Sequence, residues 1–331
     1  MKLYKTAQMI SILIFALLSV QPSQAHHGKG IFDLDSIITV QGTVSRYVWR
    51  NPHVYVYMEA PDASGQNVEW QLEGDPTPIM SRSGWTETIL KPGDQVSVGM
   101  YHDKNPGKPH GLIVSLTTPD GLTLYPRSGG RVSQVAATSI EGVWDALLDY
   151  ATRRFIYGEL TEKGAAAQAD FEGSDDPVSD CIPYPIPLIA GAPYLYKVEI
   201  LEDRVLVRSE VFNVVRTFYT DGRGHPENGE YSNQGHSIAW WEDDVLVVDT
   251  VLFEANRLGN QFGIPGSTQK HSVERYELSE DGTQLKVDWH IEDPEYLAEP
   301  LTGGVVWDYA STREFMPFDC NIENAQLYEA D

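Results

Sequence analysis

The chain is short of cysteine, of positive charge and of long apolar runs, and each shortage removes a class of protein. Cys181 and Cys320 are its two cysteines, too few and too isolated for a metal signature. Lys and Arg number 24 against 48 Asp and Glu, for a formal net charge of -24. The acids are spread along the chain rather than gathered in a tail, a surface that repels nucleic acid. One sustained apolar run exists, Met9 to Val20, and at about 12 residues it is short of the roughly 20 that span a bilayer. Long helical periodicity is missing, and so is a nucleophile elbow: "GHSIAW" lacks the second glycine that motif requires.

The apolar run acquires a meaning from its flanks. Lys2 and Lys5 precede it and Ser23-Gln24-Ala25 supplies small residues behind it, the pattern of a cleavable secretory signal over residues 1–25. The expectation is a periplasmic or secreted protein with no membrane span, beginning at His26. Loss of Lys2 and Lys5 takes the net charge from -24 to -26. In an oxidising compartment Cys181 and Cys320 are expected to pair, closing a loop of about 140 residues for about 3–5 kcal/mol in the chain-entropy model.

Strand signals dominate the chain beyond the signal segment. "ITVQGTVSRYVW", "HVYVYMEA", "NVEWQLEG" and "DQVSVGMY" alternate, or run in β-branched and aromatic residues, between Pro, Gly and Asp. Residues 26–126 read as a small OB-like β-barrel, with "SRSGWTETILKPGD" as the place for a short helix or turn. Residues 127–139, "RSGGRVSQVAATS", are small and polar and read as a linker. Residues 140–331 carry strand pairs with short polar turns, Asp221-Gly222 and Asp281-Gly282 among them, and read as a lipocalin-like antiparallel barrel. "TEKGAAAQADFEG" supplies one short helix. The fold class is therefore all-β, two barrels in series.

A chain that begins with histidine offers an α-amine and an imidazole from one residue, and a second imidazole completes a three-nitrogen set suited to Cu(II). His26 is the first candidate ligand, with His27 as its substitute. His53 in "WRNPHVYV" is the favoured second imidazole, because Pro52 fixes the turn before it and it stands at the mouth of a strand; His102 and His110 bracket a looser "DKNPGK".

"AHHGKGIFD", "GTVSRYVWRNPHVYVYM", "SGWTETILKPGDQVSVGMY" and "DGLTLYP" resemble a family of exported bacterial proteins of unknown function. Its pattern is a His-His start, Phe-Asp, Trp-x-Asn-Pro-His, Gly-Trp and Leu-Lys-Pro-Gly-Asp. The resemblance covers residues 25–126 and implies a small β-barrel with no established activity. Gly28 departs from it, where the family has serine. "RTFYTDGRGHPE", "GHSIAWWEDDVLVVDT", "VERYEL" and "IEDPEY" are similar to the lipocalin-like domain of an uncharacterised exported family, which has Trp-Glu-Gly-Asp where this chain has Trp241-Glu242-Asp243-Asp244.

If Asp243-Asp244 is a two-residue loop, Glu242 pairs with Val245, Trp240 with Val247, Ile238 with Asp249 and His236 with Val251. His236 and Asp249 are then diagonal neighbours on one face, about 7–8 Å apart at Cα. Placed inside an apolar barrel they form either a satisfied structural pair or a general acid/base unit, with Arg216 or Arg223 stabilising negative charge. "TDGRGHPE" reads as a solvated loop held by its own salt links. The leading function is binding of a small, apolar or aromatic molecule in a cavity of the second barrel, beside an N-terminal copper site. The alternative is a periplasmic enzyme, acting by copper redox chemistry at His26 or by acid/base chemistry at His236 and Asp249.

Overall fold

The computed structural model describes residues 31–127, 135–146, 159–171, 175–261 and 263–327, and the backbone of 154–156. Residues 1–25, expected to be a signal segment, His26, His27 and most of the expected linker lie outside the described residues. The chain is all-β, as its alternation requires.

Six strands form the first unit: β1 (Phe32–Val48), β2 (Tyr55–Pro61), β3 (Asn67–Glu73), β4 (Gln95–Asp103), β5 (His110–Thr117) and β6 (Thr123–Leu124). Their order is β3-β2-β1-β4-β5-β6, and a parallel β3–β5 pairing closes the first five into a barrel. The long β1 serves both neighbours, β4 through Phe32–Thr43 and β2 through Thr43–Val48. Gly42 stands at the handover, where a Cβ would sit 2.6 Å from the Glu59 carbonyl, so only glycine lets the strand pass so close to its partner. Val56, Met58, Trp70, Leu72, Val98 and Met100 fill the interior at two-residue spacing. Helix α1 (Thr77–Arg82) follows β3 and ends inside the segment read as the place for a short helix or turn, which starts at Ser81.

The second unit contains β7 (Gly142–Asp145), β8 (Arg154–Ile156), β9 (Leu195–Ile200), β10 (Arg204–Ser209), β11 (Val215–Tyr219), β12 (His236–Glu242), β13 (Val245–Val251), β14 (Asn256–Gln261), β15 (Ile264–Gly266), β16 (His271–Leu278), β17 (Gln284–Glu292) and β18 (Leu301–Tyr309). Nine of them close a barrel in the order β17-β16-β13-β12-β11-β10-β9-β7-β18, with β18 returning to β17. β8 pairs antiparallel with β18, and β14–β15 form a separate hairpin. The predicted helix is α2 (Glu162–Ala169), capped by Thr161 Oγ1, which accepts from Gly164 N at 3.0 Å.

The expected all-antiparallel wall differs at one seam. β11 and β12 run parallel, and a parallel neighbour is reached only by a crossover. Residues 220–235 are that crossover, and they carry "TDGRGHPE" back along the barrel.

The two units meet in a joint. Asn51 is buried; its Oδ1 accepts from Thr77 N at 2.9 Å, and its carbonyl accepts from Asn321 N at 3.1 Å. Asn324 Nδ2 donates to the His53 carbonyl at 2.7 Å. Ile79 of α1 belongs to the second barrel's core, and Arg82 forms an ion pair with the fully buried Glu210. Cys181 and Cys320 form a disulfide, with Cα atoms 5.9 Å apart.

Candidate functional site

Among the described residues, large side chains occupy the interior of the second barrel, where a ligand cavity is expected. Trp144, Tyr196, Phe218, Tyr276, Trp289 and Trp307 are buried in it. A void bounded by Ile189, Tyr196, Ser209, Arg216, Tyr276 and Trp307 measures about 10 Å³, the room of roughly one water molecule. Arg216 is part of this filling and not of a catalytic pair. It projects inward from β11, forks onto Glu274 with contacts of 2.6 and 2.7 Å, and shares that carboxylate with the Tyr276 hydroxyl at 2.9 Å.

His236 and Asp249 point the other way. The register deduced for their hairpin holds at every pair, Ile238 opposite Asp249 and His236 opposite Val251 included. Yet Ala239, Leu246 and Val248 are the residues in the core, and period-two alternation puts His236 and Asp249 on the outer face. Arg216 is thus separated from them by the barrel wall, because its neighbours in alternation, Val215 and Thr217, are the ones turned outward.

On that outer face the structure assembles a row that the sequence did not announce. His225 comes from the crossover, His271 from β16, and Glu292 and His290 from β17. Asp249 Oδ1 lies 2.9 Å from His225 Nε2, and Oδ2 lies 2.9 Å from His271 Nε2. His225 Nδ1 is 2.9 Å from His236 Nδ1, with the two rings edge to face. His271 Nδ1 is 3.6 Å from Glu292 Oε2, and His290 Nε2 is 3.5 Å from Glu292 Oε1. His236 and Asp249 therefore communicate through His225 rather than directly. Tyr219 stacks on His236 at 5.4 Å, and the Arg223 guanidinium lies 3.9 Å over the Tyr219 ring while bonding Asp221.

The electrostatics divide the row. Burial works against the Asp249 carboxylate, but the bonds from His271 and His225 outweigh it and its pKa is lowered. The bond to Asp249 holds the His271 pKa above its ordinary value despite burial. Burial, then His225 and Arg223, push the His236 pKa below 6.5.

Of the expected metal ligands, His53 lies at the joint with Nδ1 3.0 Å from Glu73 Oε1. His26 and His27 lie outside the described residues. Among the described residues no group of three or more His, Cys, Asp or Glu side chains is arranged to hold a metal ion. Signals for His225 and His271 were present in "GRGHPE" and "KHSVERYEL", but only the crossover and the β13–β16 register bring them to Asp249.

The motifs of the first barrel have structural duties. Asn51 fastens the joint, Trp85 is buried with its Nε1 donating to the Tyr125 carbonyl at 3.0 Å, and Gly93 turns with φ +93°. Residues 15–113 match a family of unknown function, DUF6152. The match ends within β5 and leaves the second barrel outside it. No curated protein matches the chain. Among the described residues no helix is long and apolar enough to cross a membrane.

Proposed function

We propose that this is an exported protein that performs general acid/base chemistry on the outer face of its second barrel, with His236 Nε2 as the acting atom. The carrying observation is the continuous relay His271–Asp249–His225–His236, each link 2.9 Å. In this reading Asp249 accepts Nε2–H from His225, which leaves His225 Nδ1 to accept from His236 Nδ1–H. The lone pair of His236 then resides on Nε2, outside the relay. A carboxylate-backed neutral imidazole is a competent proton acceptor, worth about 10²–10⁴ in rate when it meets a substrate. Of the two cations considered for charge stabilisation, Arg223 is the one on this face, 3.9 Å over the Tyr219 ring that stacks on His236.

A small apolar or aromatic substrate finds a place along β12, where Ile238 and Trp240 follow His236 outward at two-residue spacing and Trp240 is 42% exposed. Export is supported by the reading of residues 1–25 and by the disulfide. The test uses p-nitrophenyl acetate as the probe, with the chain starting at residue 26. His236→Gln is expected to lose at least tenfold in hydrolysis rate, and Asp249→Asn a comparable amount. Equal rates in all three proteins overturn the reading.

A second reading keeps the copper site at His26 but changes its partner. The Ile31 carbonyl accepts from Lys104 N at 2.9 Å, and His102 Nε2 stands 3.5 Å from Asp33 Oδ2. His102 therefore lies beside the point from which the five residues back to His26 depart, about 17 Å of chain at full extension. A nitrogen-ligated Cu(II) paramagnetic resonance signal is expected from the chain starting at His26, lost with one added residue and weakened in His102→Gln. An unchanged signal in both removes this site.

A further inference from the structure

His271 differs from the other rings of the row in having a carboxylate at each nitrogen, Asp249 at Nε2 and Glu292 at Nδ1, 2.9 and 3.6 Å away. An ionised carboxylate only accepts, so a ring flanked by two of them is satisfied when both nitrogens carry hydrogen. His225 has one carboxylate and one imidazole for neighbours, and His236 an imidazole and the face of Tyr219. Resting on the acid/base reading, we propose that His271, held as an imidazolium between Asp249 and Glu292, is the positioning residue that sets the tautomer of His236.

The reason lies in the charge that Asp249 would otherwise present to His225. With His271 cationic, the Asp249 charge is balanced from one side, and His225 gives its Nε2 hydrogen to the other oxygen. His225 Nδ1 must then accept, which keeps the His236 hydrogen on Nδ1 and its lone pair on Nε2. Without that cation, Asp249 draws a second proton onto His225. His225 Nδ1–H then donates to His236, whose own hydrogen moves to Nε2, and the acting atom turns from acceptor into donor. The ionisable groups facing His271 are Asp249 from β13 and Glu292 from β17, and His290 meets the other oxygen of Glu292. The raised pKa of His271 agrees with this arrangement.

The test is nitrogen NMR of the whole chain labelled at histidine, at pH 6.5. In the unaltered protein His271 is expected to be protonated on both nitrogens and His236 to be the Nδ1–H tautomer. In His271→Gln the His236 hydrogen is expected on Nε2, with a tenfold loss of p-nitrophenyl acetate hydrolysis, and His271→Arg is expected to restore both. Glu292→Gln, an exposed substitution that leaves the strand intact, is expected to lower the His271 titration midpoint. A neutral His271 at pH 6.5, or a His236 tautomer unmoved by His271→Gln, overturns the proposal. The tautomers are read without turnover. Hydrolysis insensitive to His236→Gln therefore refutes the acid/base reading alone, and an unmoved tautomer in an active enzyme refutes this proposal alone.

Discussion

Lys270 shows what a single side chain contributes when its charge is unwelcome. It is 2% exposed and sits 4.7 Å from the centroid of Phe253, and its ammonium donates to the carbonyls of Ile186 and Gly259. It thereby ties the segment before β9 to the β14–β15 hairpin. Burial pushes its pKa down to about 7, against the attraction of Asp293 and Glu274. The unfolded chain, with an ordinary lysine near 10.4, binds that proton more readily between about pH 7 and 10. Stability is therefore predicted to rise with pH across that window from this group. Urea unfolding at pH 7 and 9.5 checks it: Lys270→Met should flatten the rise, and an unchanged pH slope would exclude Lys270 as its source.

At the scale of the element, the β12–β13 hairpin shows how far the sequence reached. Its register was legible because two polar residues between alternating runs leave one way to pair. Its sidedness was not, because apolar residues occupy both faces: Ile238 and Val247 outside, Ala239, Leu246 and Val248 inside. Only closure of the wall decides between them. Arg216 was misplaced for a related reason, since its partner Glu274 is 58 residues away and offsets the cost of a burial that a strand pattern forbids. His225 and His271 were illegible as site residues until the parallel seam and the β13–β16 pairing were known. The turn itself carries a cost. Asp243 has φ +52°, the left-handed region that glycine enters freely. Asp243→Gly is predicted to stabilise the protein by about 0.5–1 kcal/mol. A denaturation midpoint that does not rise would show the aspartate unstrained.

In the whole molecule, the two barrels are joined by a strap that belongs to both. After β18 the chain passes Glu210, where Met316 N donates at 2.7 Å, packs Phe318 against Tyr194 and Phe212, and reaches Cys320 beside Asn51. The disulfide to Cys181 fixes this strap to the second barrel, while Asn321 and Asn324 fix it to the first. Across the same joint Arg82 meets Glu210, a carboxylate with no exposure, and donates to the Glu314 carbonyl at 3.3 Å. Removing one partner of a buried pair strands the other charge, whereas removing both removes the desolvation cost as well. Arg82→Met is therefore predicted to cost about 3–5 kcal/mol, and Arg82→Met with Glu210→Gln to recover about half of it. Urea unfolding of the single and double variants decides this. An Arg82→Met loss within about 0.5 kcal/mol would mean that the strap and its disulfide, and not the ion pair, hold the barrels together.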